Sequence, residues 1–241
     1  MLRTFFTAIA LALLAVFITS CGTDHAEVRT IHGSPDAPAV DVVIDGQTVA
    51  TNVAYEGLAP ASGYLTVTAG NRKFEVRATG TTTDLINSAV DFGAQKEYTV
   101  VVSGCVAPQD CNQPPGNSTV AAVLKTDDNS APGGGSVKLR VVYVSPSGPL
   151  HVDIYVVAPG TDITNMSPTV SALAYQQASG YESVSPSLNE VILTDTSDNS
   201  KTRLIDQTYT LTGGQIRTLV ILDVPGGGAI SPTPLVVADL N

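Results

Sequence analysis

Apolar residues in this chain fall in short runs, separated roughly every 8 to 12 residues by Gly, Pro, Asn, Asp or Ser. The first half carries Val28–Ile31, Val40–Ile44, Gln47–Ala54, Tyr64–Val67, Lys73–Ala78, Leu85–Phe92, Tyr98–Ser103 and Thr119–Lys125. The second half carries Lys138–Val144, Val152–Val157, Val170–Tyr175, Tyr181–Val184, Glu190–Leu193, Arg203–Leu211, Arg217–Leu222 and Pro234–Ala238. Within Val40–Ile44, residues Val40, Val42 and Ile44 share one strand face, and Asp41, Val43 and Asp45 share the other. Beyond the N-terminal leader no window shows the i, i+3, i+4, i+7 stripe of an amphipathic helix. The pattern predicts an all-β protein with the cadence of a sandwich or barrel.

The runs repeat. IHGSPDAPAVDVVIDG (Ile31–Gly46) returns as VYVSPSGPLHVDIYVV (Val142–Val157). Ser34-Pro35 matches Ser145-Pro146, Val40-Asp41 matches Val152-Asp153, and Ser62-Gly63-Tyr64 matches Ser179-Gly180-Tyr181. Leu85-Ile86 matches Leu204-Ile205, and Gly93-Ala94-Gln95 matches Gly213-Gly214-Gln215. The spacing between anchors drifts where one copy carries an insertion such as Ala158–Ser167, as turns absorb insertions and strands do not. The spacer Asp127–Ser136, DDNSAPGGGS, reads as a flexible Gly/Ser linker. The expected organisation is a leader over 1–20, a tether over 21–27, a first β-sandwich over 28–128, a linker over 129–136 and a second β-sandwich over 137–241. A linker this short predicts domains placed end to end with a modest contact.

The N-terminus departs from this cadence. Arg3 precedes the unbroken apolar run Phe5–Ile18, long enough for a signal peptide and short of the roughly 20 residues that span a bilayer. The ending Ile18-Thr19-Ser20-Cys21 resembles the bacterial lipobox, which implies acylation of Cys21 as the mature N-terminus. Gly22 at the next position implies retention at an outer membrane where the host has two membranes. Acyl chains in pairs anchor stably where a single one does not. The tether reaches ~20 Å when extended, so the first sandwich sits near the lipid.

Composition narrows the partners. Net charge is −10, and Arg72-Lys73 is the densest basic cluster, which argues against nucleic acid. Trp is absent. Of the three cysteines, Cys21 ends the leader, while Cys105 and Cys111 enclose VAPQD. That pair has neither zinc spacing nor CxxC spacing, and in an oxidising envelope it is expected to form a disulfide.

SPDAPAVDVVIDG, ASGYLTVTAG, FEVRATGTTT and KEYTVVVSG, with the junction from LKTDDNSAP to KLRVVYVSP, resemble the bacterial family called domain of unknown function 4397. The resemblance spans the mature chain and is looser in the second copy, where Ser147 stands for Asp36 and Gly148-Pro149 for Ala37-Pro38. It implies tandem immunoglobulin-like antiparallel β-sandwiches and an envelope location, and it brings no catalytic residues.

Candidate chemistry is sparse. Asp36, Asp41 and Asp45 are calcium candidates, as calcium takes six to eight oxygens. Asp41 and Asp45 lie about 13 Å apart on a straight strand, so the favoured reading is a turn-and-strand signature without metal. Asp127-Asp128 is a second calcium candidate, better read as a solvated linker. His25, His32 and His151 form no catalytic motif, and the glycine runs Gly133–Gly135 and Gly226–Gly228 lack a P-loop lysine. Tyr64 and Tyr181 are expected to seal a sandwich edge with hydroxyls bonded to backbone; a sugar-stacking platform is the alternative. No cofactor is implied. The sequence therefore reads as a lipid-anchored envelope protein acting as a non-catalytic binding, adhesion or structural module, with a protein or glycan partner. The alternative is an envelope hydrolase acting on glycans or peptides.

Overall fold

A computed structural model describes residues 24–107 and 119–239. The leader, Cys21 and Cys111 lie outside the described residues.

The first repeat contains β1 (His25–His32), β2 (Val40–Ile44), β3 (Gln47–Val53), β4 (Leu58–Ala59), β5 (Leu65–Thr68), β6 (Gly70–Ala78), β7 (Asp84–Phe92), β8 (Glu97–Ser103) and β9 (Ala121–Thr126). The second contains β10 (Val137–Tyr143), β11 (His151–Val157), β12 (Val170–Ala174), β13 (Gln177–Ala178), β14 (Glu182–Val184), β15 (Leu188–Asp195), β16 (Arg203–Thr210), β17 (Ile216–Ile221) and β18 (Leu235–Ala238). Every apolar run picked out above lies on a strand. The two-residue strands β4 and β13 are additions, too short to show any alternation.

Each repeat is a two-sheet sandwich. One sheet runs β4-β1-β8-β9, with β5 also on β1, and faces β3-β2-β6-β7. The second repeat copies this as β13-β10-β17-β18, with β14 on β10, facing β12-β11-β15-β16. Among the described strands the pairings are antiparallel except β1 with β8 and β10 with β17, which are parallel. The structure departs here from purely antiparallel sheets. The tether is also shorter than read, because His25, Ala26 and Glu27 already pair with Thr68, Val67 and Thr66.

Alternation supplies each core. Val40, Val42 and Ile44 meet Phe74, Val76, Phe92, Val100 and Val102 inside the first repeat. Leu139, Val141, Tyr143, Ile154, Leu193 and Leu219 fill the second. A third cluster belongs to neither sandwich alone: Ile31, Val101 and Val123 pack on Val142, Val144, Val220, Leu222 and Val237. The domains therefore meet face to face, not end to end. Strands β1, β8, β10 and β17 are buried on both faces, which is why β8 and β17 read as the largely apolar runs TVVVS and RTLVIL.

The spacer is pinned. Lys138 Nζ donates to the carbonyls of Asp128 and Ser130, at 2.9 Å each. Lys138 and Ser130 together hold the Asp128 carboxyl at about 2. Asn129 Nδ2 reaches Glu97 and Tyr64. The flexible linker predicted from composition is thus an ordered strap.

Candidate functional site

The signature turns come first. In the first repeat, the Asp36 carboxylate accepts the backbone N–H groups of Val106 (2.9 Å) and Ala107 (2.8 Å), tying the turn to the segment that follows β8. In the second repeat Ser147 occupies that place, and the acid comes from the opposite side. Asp223, just beyond β17 and fully buried, accepts from Ser145 Oγ, Ser147 Oγ (2.6 Å) and Ser147 N (3.2 Å). Burial pushes its carboxyl up, opposed by those three hydrogen bonds. One carboxylate clasps each turn, supplied by the turn in one copy and by the strand end in the other.

A ring fixes the turn's last proline carbonyl in both copies. Ser34 N donates to His32 Nδ1 (3.4 Å), so Nε2 carries the proton and donates to Pro38 O (3.0 Å). Tyr143, at the matching position, donates its hydroxyl to Pro149 O (2.6 Å). Burial lowers the pKa of His32, partly offset by the Pro38 bond. A histidine with a depressed folded pKa contributes full stability above its ordinary value of about 6.5 and loses it as pH falls below that. Protonation would also set two donors against each other at Nδ1. His32→Tyr, which copies the second repeat, is therefore expected to lose less melting temperature than the wild type between about pH 7 and pH 5. Parallel curves over that range would reject the account.

The repeated Val-Asp is a bulge clamp. Asp41 Oδ1 accepts from Asn52 N (2.8 Å) and Thr79 Oγ1 (2.8 Å), and Asp153 Oδ1 accepts from Ala172 N (2.8 Å). Asn52 and Ala172 hold left-handed φ values of 53° and 49°, beside register shifts in the β2–β3 and β11–β12 pairs. The carboxylate holds a strained residue in place at an irregularity of the ladder. Asp45 accepts instead from Lys73 N (2.9 Å) and Arg72 (3.2 Å). Asp36, Asp41 and Asp45 thus serve three separate turns and do not converge. Among the described residues no group of three or more His, Cys, Asp or Glu is placed to hold a metal.

Between the sandwiches lies an ionic seam built twice. Arg29 donates Nε to Thr99 Oγ1 (2.8 Å), Nη1 to Ala238 O (2.9 Å) and Nη2 to Asp239. Arg140 donates Nε to Thr218 Oγ1 (3.2 Å), Nη1 to Thr126 O (3.1 Å) and Nη2 to Asp127 (2.6 Å). Asp127 also accepts from Tyr64 OH (2.8 Å) and Thr99 Oγ1 (2.6 Å), and Asp239 from Tyr181 OH (2.9 Å) and Thr218 Oγ1 (2.9 Å). Each guanidinium lies over the tyrosine ring of its own repeat, 5.0 Å from Tyr64 and 4.8 Å from Tyr181. All four charged side chains are at most 2% exposed. Each repeat thus offers its arginine to the other's aspartate. Asp127 is no solvated linker acid, and the tyrosine hydroxyls bond carboxylates where backbone was expected.

At the far end of the interface the signature turns are linked. Gly226 N donates to Pro35 O (2.8 Å), Gly228 N to Ser147 Oγ (2.9 Å), and Tyr55 OH to Asp223 O (2.7 Å). Contact is close enough that a Cβ on Gly33 would lie 2.8 Å from the Leu222 side chain. Cys105 is buried beside Thr119, and its expected partner Cys111 lies outside the described residues. His25 opens β1, beside a depression of about 660 Å³ that also touches Glu27, Glu97 and Asp128. His151 opens β11, beside a second of about 680 Å³ with Leu150 and Asp195.

These features define a tandem β-sandwich protein whose repeats are fused by a duplicated seam. Residues 26–155 match the family described as domain of unknown function (DUF4397), and the chain belongs to it. The match covers the first repeat and β10 and ends within β11. No curated protein matches the chain. Among solved structures, it is similar to the C-terminal domain of AlgF from P. aeruginosa, with 20% identity, TM-score 0.29, and coverage of 43% of this chain and 98% of that one. It is also similar to a family 26 carbohydrate-binding module of Eubacterium rectale Amy13K, with 11% identity, TM-score 0.27, and coverage of 87% and 97%. A third is a family 41 carbohydrate-binding module from streptococcal virulence factors, with 10% identity, TM-score 0.27, and coverage of 86% and 97%.

Proposed function

We propose that this chain is a lipid-anchored envelope protein that acts without catalysis, as a rigid two-repeat module that binds another protein. The duplicated seam carries the reading, because it turns two sandwiches into one body. Four of its acids are committed to holding that body together: Asp127 and Asp239 on the arginines, Asp223 and Asp36 on the signature turns. A protein partner is favoured over a glycan because Tyr64 and Tyr181 each have a ring face under a guanidinium and a hydroxyl bonded to a buried aspartate, so both serve the seam. A Cys105–Cys111 bridge would fix the segment whose start is clasped by Asp36.

Anchoring through Cys21 implies that Cys21→Ser abolishes incorporation of labelled palmitate and moves the protein from the membrane to the soluble fraction. Unchanged fractionation would remove the anchor from the proposal. Cross-linking on intact cells is expected to give discrete protein adducts of the wild type. Adducts with glycan alone, or none, would sink the binding reading.

A further inference from the structure

The seam has a property that neither sandwich has alone: the two faces that meet in it are built to one pattern. Arg29, Thr99, Tyr64 and Asp127 on the first repeat occupy the roles of Arg140, Thr218, Tyr181 and Asp239 on the second. The apolar part follows the same rule, with Ile31 and Val101 at the positions of Val142 and Val220. Each face carries one arginine to give and one aspartate to receive. The two faces are therefore complementary to each other by a pseudo-two-fold relation, and the same contact can form within one chain or, twice over, between two copies.

The repeats also have separate cores, one drawn from β1–β9 and the other from β10–β18. Only the strap between Thr126 and Val137 joins them covalently. The strap holds Gly133–Gly135, two of which sit at positive φ, and from Ser130 onward its side-chain bonds are exposed. If it runs to a neighbouring chain, all the seam contacts are kept.

We propose that two copies of this chain pair by exchanging repeats, the Arg29–Asp127 face of one taking the Arg140–Asp239 face of the other. Because closed monomer and exchanged dimer share the same contacts, the balance between them is set by the strap and by concentration. Once its bonds to Lys138, Glu97 and Tyr64 are released, the Gly-rich strap is a short flexible connection, and such a connection gives an effective concentration on the order of millimolar. Exchange therefore becomes visible when the chain is held near that concentration, and repeat proteins are prone to it.

The test uses a pair at the seam's rim, where Lys125 Nζ donates to Gln177 Oε1 across the repeats (3.1 Å). One preparation of the full mature chain carries Lys125→Cys and another carries Gln177→Cys. They are mixed at ~1 mM, the concentration at which the closed form loses its advantage. The mixture passes through a brief cycle of mild denaturant and is then treated with a short thiol-specific cross-linker. Closed monomers hold one new thiol each and cannot link across the seam, whereas an exchanged dimer presents both. A covalent dimer containing one chain of each kind is expected, at least several-fold above the yield from either variant alone or from the wild type. The doubly substituted chain is the control and should cross-link within itself. If it does and the mixture yields no hetero-dimer, exchange is excluded; if it does not, the seam geometry fails and the proposal with it. Neither result depends on lipid anchoring or on an envelope partner.

Discussion

Arg29→Ala is expected to lower the free energy of unfolding by about 3–5 kcal/mol, the range for breaking a buried ion pair by removing one partner. The cost comes from what is left behind. Asp239 would keep only Tyr181 OH and Thr218 Oγ1 as donors, buried with no cation in contact. Asp127 is cushioned by comparison, because Arg140 still holds it at 2.6 Å. Ala238 O, which accepts Nη1, also loses its contact with the arginine. Urea unfolding followed by fluorescence measures the loss. A change under about 1 kcal/mol would show that the seam does not hold the repeats together. Replacing Arg29, Arg140, Asp127 and Asp239 together by apolar residues of similar volume is a different experiment, since desolvation of the charges then disappears along with their attraction.

The contrast between those two substitutions explains why the seam was hard to see in the sequence. The strands were legible because their apolar faces alternate or run continuously, and the repeat was legible because Ser-Pro, Val-Asp and Ser-Gly-Tyr recur in order. Ionic pairing leaves no such period. Asp127 stands beside Asp128 and a Gly/Ser stretch, so local composition assigns it to a linker, although it directly follows β9 as Asp239 directly follows β18. A signal was present. Arg29 and Arg140 sit in the middle of β1 and β10, beside apolar residues on strands that are largely buried, at matching positions in the two copies. A charge on a strand buried on both faces needs a buried partner, and the acids closing the last strand of each repeat are the ones that recur. The end-to-end arrangement failed for the same reason: TVVVS and RTLVIL were read as strands, but not as strands that must be covered twice.

The second large effect concerns the motif that first marked the repeat. Asp223→Ala is expected to cost about 2–4 kcal/mol, because it leaves Ser145 Oγ, Ser147 Oγ and Ser147 N without their acceptor, and each buried unsatisfied group costs about 1–3 kcal/mol. Ser145 is fully buried, so water cannot readily replace the carboxylate there. The first repeat suggests the rescue. It clasps its turn with Asp36, the residue that Ser147 replaces, and takes its donors from Val106 and Ala107 beyond β8. Adding Ser147→Asp to Asp223→Ala moves the acid from the strand end to the turn, where Ser145 Oγ and the N–H of Gly228, which already donates to the side chain at 147, can meet it. This double variant is expected to recover at least half of the loss, whereas Ser147→Ala in the same background recovers none. Recovery by aspartate alone would show that the clasp needs one carboxylate and tolerates either side as its source. Equal behaviour of the two double variants would mean that the turns are held by packing, with the acid incidental.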